Sequence, residues 1–429
     1  MKISVLYFIL LFMFSSCDLF NKNTIEGEPS YTAKIVWDSG LYSNSYGSHT
    51  VYEDFIYFYE RPPEYTTVNI YSLTKLDAKT GRLIWRSLEF SNIVPCQPAI
   101  IGEYVYVFLE PNYIVSFNKE TGEHTAIIEV DIEERNFEMN WNVIAYQKYI
   151  YMGLWRWTDS YFVRLDLDLI KHNNNFDEIQ IITPEILWEP EFFNLVTAKP
   201  VVYNNVIYTC TSSPGAIDPV EIAGFDTNTG QIKFYITFGG SEDNVEDIFL
   251  PETGAGIVGN PIFIHNNILY FLRRSISAWN INTGEKLYRH VFTNDIPIHK
   301  LYAAASLQPI YYKGRIYYTN DTGDLDGSPM GFRNIHCIDA STGKLVWNAI
   351  AKYSESLITN PIIAHDRLYI SQYHGFFVYN PVNGKLIGVD RSFCGAGLFG
   401  RNILYNDYMI CIQEDDYGDG KLVAVYVGK

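Results

Sequence analysis

The chain has 429 residues and a formal net charge of −17, with 32 Lys and Arg against 49 Asp and Glu. That balance argues against nucleic acid as a partner and against electrostatic docking on anionic lipid. The 34 Tyr and 26 Phe suit sheets, where aromatic side chains are favoured.

The first residues are MKISVLYFILLFMFSSC. One lysine precedes an apolar run from Ile3 to Phe14, then two serines and Cys17. A spanning helix needs about 20 apolar residues, so residues 1–16 read as a cleaved export signal. The Ser15-Ser16-Cys17 ending resembles a bacterial lipoprotein signal. That resemblance implies cleavage before Cys17, diacylation of its thiol and acylation of the new amine. The plainer reading is a secretory signal in which Cys17 is incidental. Residues 17–30, polar and short, form a flexible tether. Loss of residues 1–16 removes one lysine and moves the charge from −17 to −18. Five further cysteines, Cys96, Cys210, Cys337, Cys394 and Cys411, make no C-x-x-C motif and read as small buried hydrophobes rather than a disulfide framework.

From residue 31 onward the chain is periodic. The segments QPAIIGEYVYVF (97–108), KPVVYNNVIYTC (199–210), NPIFIHNNILYFL (260–272), QPIYYKGRIYYT (308–319) and NPIIAHDRLYIS (360–371) share one plan. A polar residue and Pro lead into an apolar run, a polar turn and a second run containing Tyr. SHTVYEDFIYFY, WNVIAYQKYIYMG and RNILYNDYMICI are weaker copies. The Pro-equivalent positions are His49, Pro98, Asn142, Pro200, Pro261, Pro309, Pro361 and Asn402, 41 to 61 residues apart. Each copy reads as a tight hairpin.

A second motif follows six of the eight hairpins. KLDAKTGRLIW, SFNKETGEHTA, GFDTNTGQIKF, AWNINTGEKLY, CIDASTGKLVW and VYNPVNGKLIG place Asp or Asn at a strand end and Gly four residues on. The carboxylate or amide starts the turn and Gly supplies its positive φ. Trp85, Phe234, Tyr288 and Trp347, four residues after Gly, are expected to pack one sheet against the next. Four antiparallel strands per repeat, without a helical pattern, predict an all-β, eight-bladed β-propeller occupying residues 31–429 as one domain. The last repeat lacks a fourth strand, and KIVW (34–37) matches RLIW and KLVW. Residues 33–39 are therefore expected to close the last blade and the ring. The third repeat departs from the pattern, carrying DLDLIKHNNNFDEIQIITPEILW (166–188) in place of Thr-Gly.

These paired motifs resemble the PQQ-like (pyrroloquinoline-quinone-type) repeat. The resemblance covers nearly the whole chain after residue 30 and implies one of two roles. One is a quinone-dependent dehydrogenase holding PQQ and Ca²⁺ at the channel. The other is a non-catalytic lipoprotein propeller, such as the scaffold of the outer-membrane barrel-assembly machine. The adjacent cysteine pair on which many such dehydrogenases stack the quinone is missing from this sequence, and no Glu/Asn/Asp cation set can be matched. The scaffold branch is preferred and no cofactor is expected; PQQ with Ca²⁺ is the alternative.

Residues just before the Pro-equivalent positions, Gln97, Trp141, Lys199, Asn260, Gln308, Asn360 and Arg401, are expected at the channel mouth. They form either a ring for a polar ligand or, the preferred reading, hydrogen-bond partners for the backbone. Trp155 and Trp157 fall in a loop-face segment, GLWRWTDS, and suit either an interface or packing on a neighbouring blade. Phe249 and Leu250 are similar. The Asp- and Gly-rich stretches 320–327 and 414–421 lack the full Ca²⁺-loop pattern and read as solvated turns. His265 and His365 occupy matching turn positions, which repetition explains better than metal. The expectation is a monomeric fold, lipid-anchored at the outer membrane of a bacterial envelope, binding envelope proteins or glycans through its loop face.

Overall fold

The computed structural model describes residues 28–43, 49–61, 70–94, 96–132, 138–139, 143–156, 159–173, 178–190, 195–196, 199–212, 220–238, 262–272, 275–291, 309–322, 332–351, 359–372, 375–393, 402–414 and 420–428. Among them the regular structure is strand, apart from one short 3₁₀ turn at Leu167–Leu169. No helix among the described residues is long and apolar enough to cross a membrane.

The strands assort into antiparallel sheets that follow the repeats. The 310–351 sheet shows the plan: Ile310–Tyr312, Arg315–Thr322, Phe332–Asp339 and Leu345–Ala351 pair in chain order. The 262–291 and 362–390 sheets have the same order. The first hairpin turns are tight because the first central residue sits at positive φ, and in four of the described turns both do, as at Asn204 (49°) and Asn205 (59°). That is the geometry that matches the strand twist. His265 and His365 do not share a turn position. His265 ends the strand Ile262–His265, whereas His365 is itself a positive-φ turn residue (47°). The strand of one repeat is a residue longer, which moves the turn onto Asn266-Asn267.

The N-terminal strand Ile35–Ser43 pairs antiparallel with Gly420–Tyr426, aligning Trp37 with Ala424. It thus supplies the fourth strand beside Ile403–Tyr405, Tyr408–Glu414 and Gly420–Tyr426. Its limits run two residues later at the start and four later at the end than the expected 33–39, because register shifts let the chain continue to Ser43, which pairs with Glu60 of the 49–91 sheet.

The 166–188 segment divides between two sheets. Glu185–Trp188 is the outer strand beside Asp159–Asp166. Ile179–Ile182 instead joins the preceding sheet, parallel to His124–Val130. His172 pins the crossing: its ring stacks on Tyr104 at 3.5 Å and 5°, and its Nδ1 lies 3.1 Å from Thr125 Oγ1.

Buried apolar side chains gather between neighbouring sheets. One cluster joins Tyr270 and Ile276 to Ile316 and Ile338; another joins Tyr317 and Cys337 to Leu368 and Phe377. Each sheet therefore buries both faces, and single sheets contribute to two cores. Cys96, Cys210, Cys337 and Cys411 are buried, as expected for small hydrophobes.

Candidate functional site

The turn that joins the third and fourth strands is built by local chemistry. In the 310–351 sheet, Asp339 Oδ1 accepts the N–H groups of Ser341 and Thr342, both at 3.0 Å. Gly343, at φ +71°, then donates to Asp339 O at 2.8 Å. The hydroxyl of Ser341, foremost among these donors, holds the Asp339 carboxyl below its ordinary range. Asp226 uses the same bonds, to Asn228 and Thr229 N–H at 3.0 and 2.9 Å.

Beyond its positive φ, the turn glycine leaves room for a neighbour. A Cβ on Gly384 would sit 2.5 Å from Trp347, which comes from the preceding sheet. The indole is not merely packed there, because its Nε1 donates to Pro381 O at 3.0 Å, and Tyr317 Oη donates to the same carbonyl at 3.0 Å. Tyr288 and Tyr270 converge on Ala340 O at 2.8 and 3.3 Å. Trp85 Nε1 and Lys75 Nζ converge on Lys119 O, both at 3.0 Å. At Pro381 O and Ala340 O the repeated Tyr and the closing aromatic thus share one lock, while at Lys119 O a lysine takes the place of the Tyr. Phe234 departs from the scheme. It is buried, but nothing lies within 4 Å of the Cβ position at Gly284, and a phenyl ring has no donor to bind the turn.

At the other end of the first strands lie the expected channel-mouth residues. Gln97 Nε2 donates to His49 O at 2.7 Å, and Lys199 Nζ donates to Gln97 Oε1 at 2.5 Å. Three Pro-equivalent regions, around residues 49, 98 and 200, are therefore joined, and the 97–199 contact spans an intervening sheet. Such a contact requires these strands to converge. Asn360 and Asn402 form a second, fully buried group. Asn360 Nδ2 donates to Asn402 O (2.9 Å) and Asn402 N donates to Asn360 Oδ1 (2.7 Å). Asn402 Nδ2 reaches Thr359 Oγ1 at 2.8 Å, while Ser371 Oγ donates to Asn402 Oδ1 at 2.9 Å. The amides of Gln97 and Asn360 are thus committed to adjoining repeats.

Trp155 lies in the strand Tyr149–Arg156, partly buried and in register with Glu138 and Ser160. Cys17, Trp141, Trp157, Phe249, Leu250, Asn260, Gln308 and Arg401 lie outside the described residues. So do 323–327 and 415–419; Asn320 to Thr322 belong to a strand rather than a turn. Among the described residues no three His, Cys, Asp or Glu side chains gather as a metal would require.

Some paired charges had no sequence signal. Glu60, 4% exposed, takes Arg86 Nε at 2.7 Å and Thr74 Oγ1 at 2.8 Å. Lys75, 1% exposed, bonds Glu120 at 3.1 Å and lies 4.1 Å from the Phe55 ring centroid. Arg164 pairs with Glu185 and donates to Thr227 O at 2.8 Å. Alternation along a strand marks these residues as inward-facing, but not which distant partner neutralises them.

Comparison with known proteins fits this geometry. The family model described as outer membrane protein assembly factor BamB matches residues 30–234. A search of curated protein sequences finds no match. Among solved structures, BamB from Moraxella catarrhalis aligns over 92% of this chain and 98% of its own, at 11% identity and TM-score 0.58. A europium-containing methanol dehydrogenase aligns over 93% and 95%, at 10% identity and TM-score 0.62. The quinohemoprotein alcohol dehydrogenase of Comamonas testosteroni aligns over 92% of this chain and 77% of its own, at 10% identity and TM-score 0.62. The fold is a PQQ-like β-propeller.

Proposed function

We propose that the chain is an eight-bladed propeller, closed by its N-terminal strand, lipid-anchored through Cys17 and working in the bacterial envelope as a non-catalytic scaffold for other proteins. Outer-membrane protein assembly is the process we assign to it, on its likeness to BamB. The likeness to dehydrogenases at 10% identity speaks to fold, and fold does not carry function.

The observation that carries the reading is the state of the channel-mouth amides. Gln97 and Asn360 bind backbone groups of adjoining repeats, so these side chains serve as ties between repeats. Cation and quinone sites need convergent carboxylates and amides with lone pairs to spare. Among the described residues, the bonded amides of Gln97 and Asn360 argue against PQQ with Ca²⁺. Partner contact then falls to the side opposite the turns, where Trp155, partly buried near the end of its strand, and Trp157, two residues on in the sequence, would supply the aromatic anchors favoured at interfaces.

The test is cross-linked capture of the full-length lipidated protein from its own envelope, beside a Trp155→Ala/Trp157→Ala variant. A defined envelope protein recovered in stoichiometric amount with the wild type, and lost with the variant, supports the scaffold. Saturable calorimetric binding of PQQ with Ca²⁺ would favour the dehydrogenase instead; binding of a cell-wall glycan alone would replace the protein partner.

A further inference from the structure

The N-terminal arm is bound to two sheets before it becomes a strand. Pro29 O accepts Val389 N at 2.9 Å and Tyr31 N donates to Val389 O at 3.0 Å, a parallel pairing along the outer edge of the 362–390 sheet. Tyr31 stacks on Phe376 at 6.0 Å and 12°, and Ala33 N donates to Asp390 Oδ2 at 2.7 Å. Glu28 and Arg391 form a two-pronged ion pair at 2.8 to 3.2 Å, with both side chains largely buried. Lys34 O then accepts Tyr426 N of the next sheet at 2.9 Å. The point from which the chain leads back to Cys17 is therefore fixed at one rim of the molecule.

That rim carries exposed aliphatics, as the other outer strands do at Leu83, Ile84, Ile232, Leu287 and Val346; what sets it apart is that the arm leads from it to Cys17. Ile35, Val36, Val382 and Ile387 are 39–64% exposed there. Lys34 and Lys385 are exposed beside them, and no described carboxylate pairs with either. The neighbouring acids are engaged: Glu28 by Arg391, Asp390 by Ala33 N, Asp366 by Lys313 and Asp407 by His365. Asp38 lies further along the strand and accepts Gly40 N. Aliphatic side chains interleaved with lysines are the composition of a surface that rests at lipid headgroup level.

We propose that this rim is a membrane-contact edge: the Glu28–Ala33 arm holds the propeller with the outer edges of the 362–390 and 403–426 sheets against the bilayer. The proposal rests on the lipid-anchor reading. Ten residues lie between Cys17 and Glu28, so the two are at most about 40 Å apart. An anchored Cys17 therefore keeps this rim, and not the opposite one, within reach of the headgroups. The bilayer contributes the surface for the aliphatics; the lysines bind lipid phosphates.

The test uses full-length lipidated protein in phosphatidylcholine liposomes that carry a headgroup-level nitroxide quencher. A fluorophore is placed at Val382→Cys or, for comparison, at Ile232→Cys on the outer strand of the 201–238 sheet, each in a Cys394→Ser background. The label at 382 is expected to be quenched at least threefold more than the label at 232. Lys34→Glu with Lys385→Glu is expected to bring that ratio towards one, with the acyl mass on Cys17 unchanged. Equal quenching at both sites in the acylated wild type, or stronger quenching at 232, overturns the edge contact and leaves the anchor standing. A Cys17 peptide without acyl mass overturns both.

Discussion

Two seams between neighbouring sheets use the same lock with different parts. At the internal seam between the 310–351 and 362–390 sheets, Trp347 docks over Gly384, and Pro381 O receives Trp347 and Tyr317 at 3.0 Å each, with Arg315 Nη1 further off at 3.5 Å. At the seam between the 403–426 and 49–91 sheets, Trp37 docks over Gly81 and donates to Ala78 O at 3.1 Å. The position of the second donor is there taken by Ile410, which is buried and has no hydroxyl. Other bonds stand in. Arg61 N donates to Tyr42 O at 2.9 Å, Tyr405 Oη bonds Asp54, and Lys79 reaches the same carboxylate at 2.8 Å. The seam where the two ends of the chain meet therefore leans on one indole and on strand-to-strand bonds, while the internal seam doubles its side-chain donors.

The sharpest way to break this comparison is to remove each indole. Trp37→Ala should cost about 3–5 kcal/mol, the range for deleting a buried aromatic, and Trp347→Ala less, because its indole is only partly buried. The consequences should differ. Without Trp37, the N-terminal strand loses its only lock donor, and limited proteolysis under native conditions should release residues before about 44. Without Trp347, Tyr317 still ties the seam, and the first cut should not fall there. Equal proteolytic patterns would show that the chain-end seam has no special dependence on Trp37.

At the inner ends of the strands, the buried amide group offers the next test. Asn402 makes three side-chain bonds, to Thr359, Ser371 and the Asn360 carbonyl. Asn402→Ala takes the partner from Ser371 Oγ and from the Asn360 carbonyl, while Thr359 Oγ1 keeps its bond to Ser371 O, a cost of about 1–3 kcal/mol, measured by urea unfolding. Asn402→Asp keeps one acceptor oxygen but loses both donors, and should recover less than half of that cost.

Acid should separate the internal seams from the chain-end seam. His336 is fully buried beside Tyr318, their rings 4.8 Å apart, and burial lowers its pKa to about 3 from the ordinary 6.5. The folded state resists protonation that the unfolded chain accepts. Its contribution is therefore complete above pH 6.5 and declines as pH falls towards 3, at up to about 1.4 kcal/mol per pH unit. Between pH 6.5 and 5 the loss from this residue is about 2 kcal/mol. His336→Phe should flatten that part of the stability profile. Hydrogen exchange at pH 5 should show the 310–351 strands opening before the 403–426 strands.

Much of the lock was legible in the sequence because its chemistry is local. Asp or Asn followed four residues later by Gly defines a turn through bonds made within five residues. KIVW could be recognised as a displaced copy of RLIW because the pattern, rather than the position, carries the information. The second donor was not legible, since nothing in the spacing says that Tyr317 and Trp347 meet on one carbonyl. Nor was the destination of Ile179–Ile182, whose short aliphatic run suits any open sheet edge. For the mouth residues, the sequence pattern placed Gln97, Lys199 and Asn360 at equivalent positions. Which of them touch depends on the convergence of strands a hundred residues apart, as Gln97 and Lys199 show.

The smallest expected effect isolates the second donor. Tyr317→Phe removes one hydroxyl and leaves the ring packed against Trp347, 5.9 Å away. Pro381 O keeps the Trp347 N–H, so no buried acceptor is orphaned, and the cost should be about 0.5–1.5 kcal/mol. If the two donors act as one lock, Tyr317→Phe should cost more when Trp347 is already Phe, because the carbonyl is then left with only the long bond from Arg315 Nη1, at 3.5 Å. A double-mutant cycle reads that difference directly. Strict additivity would mean that the shared carbonyl is a coincidence of packing, and that the chain-end seam gives up little by carrying isoleucine at 410.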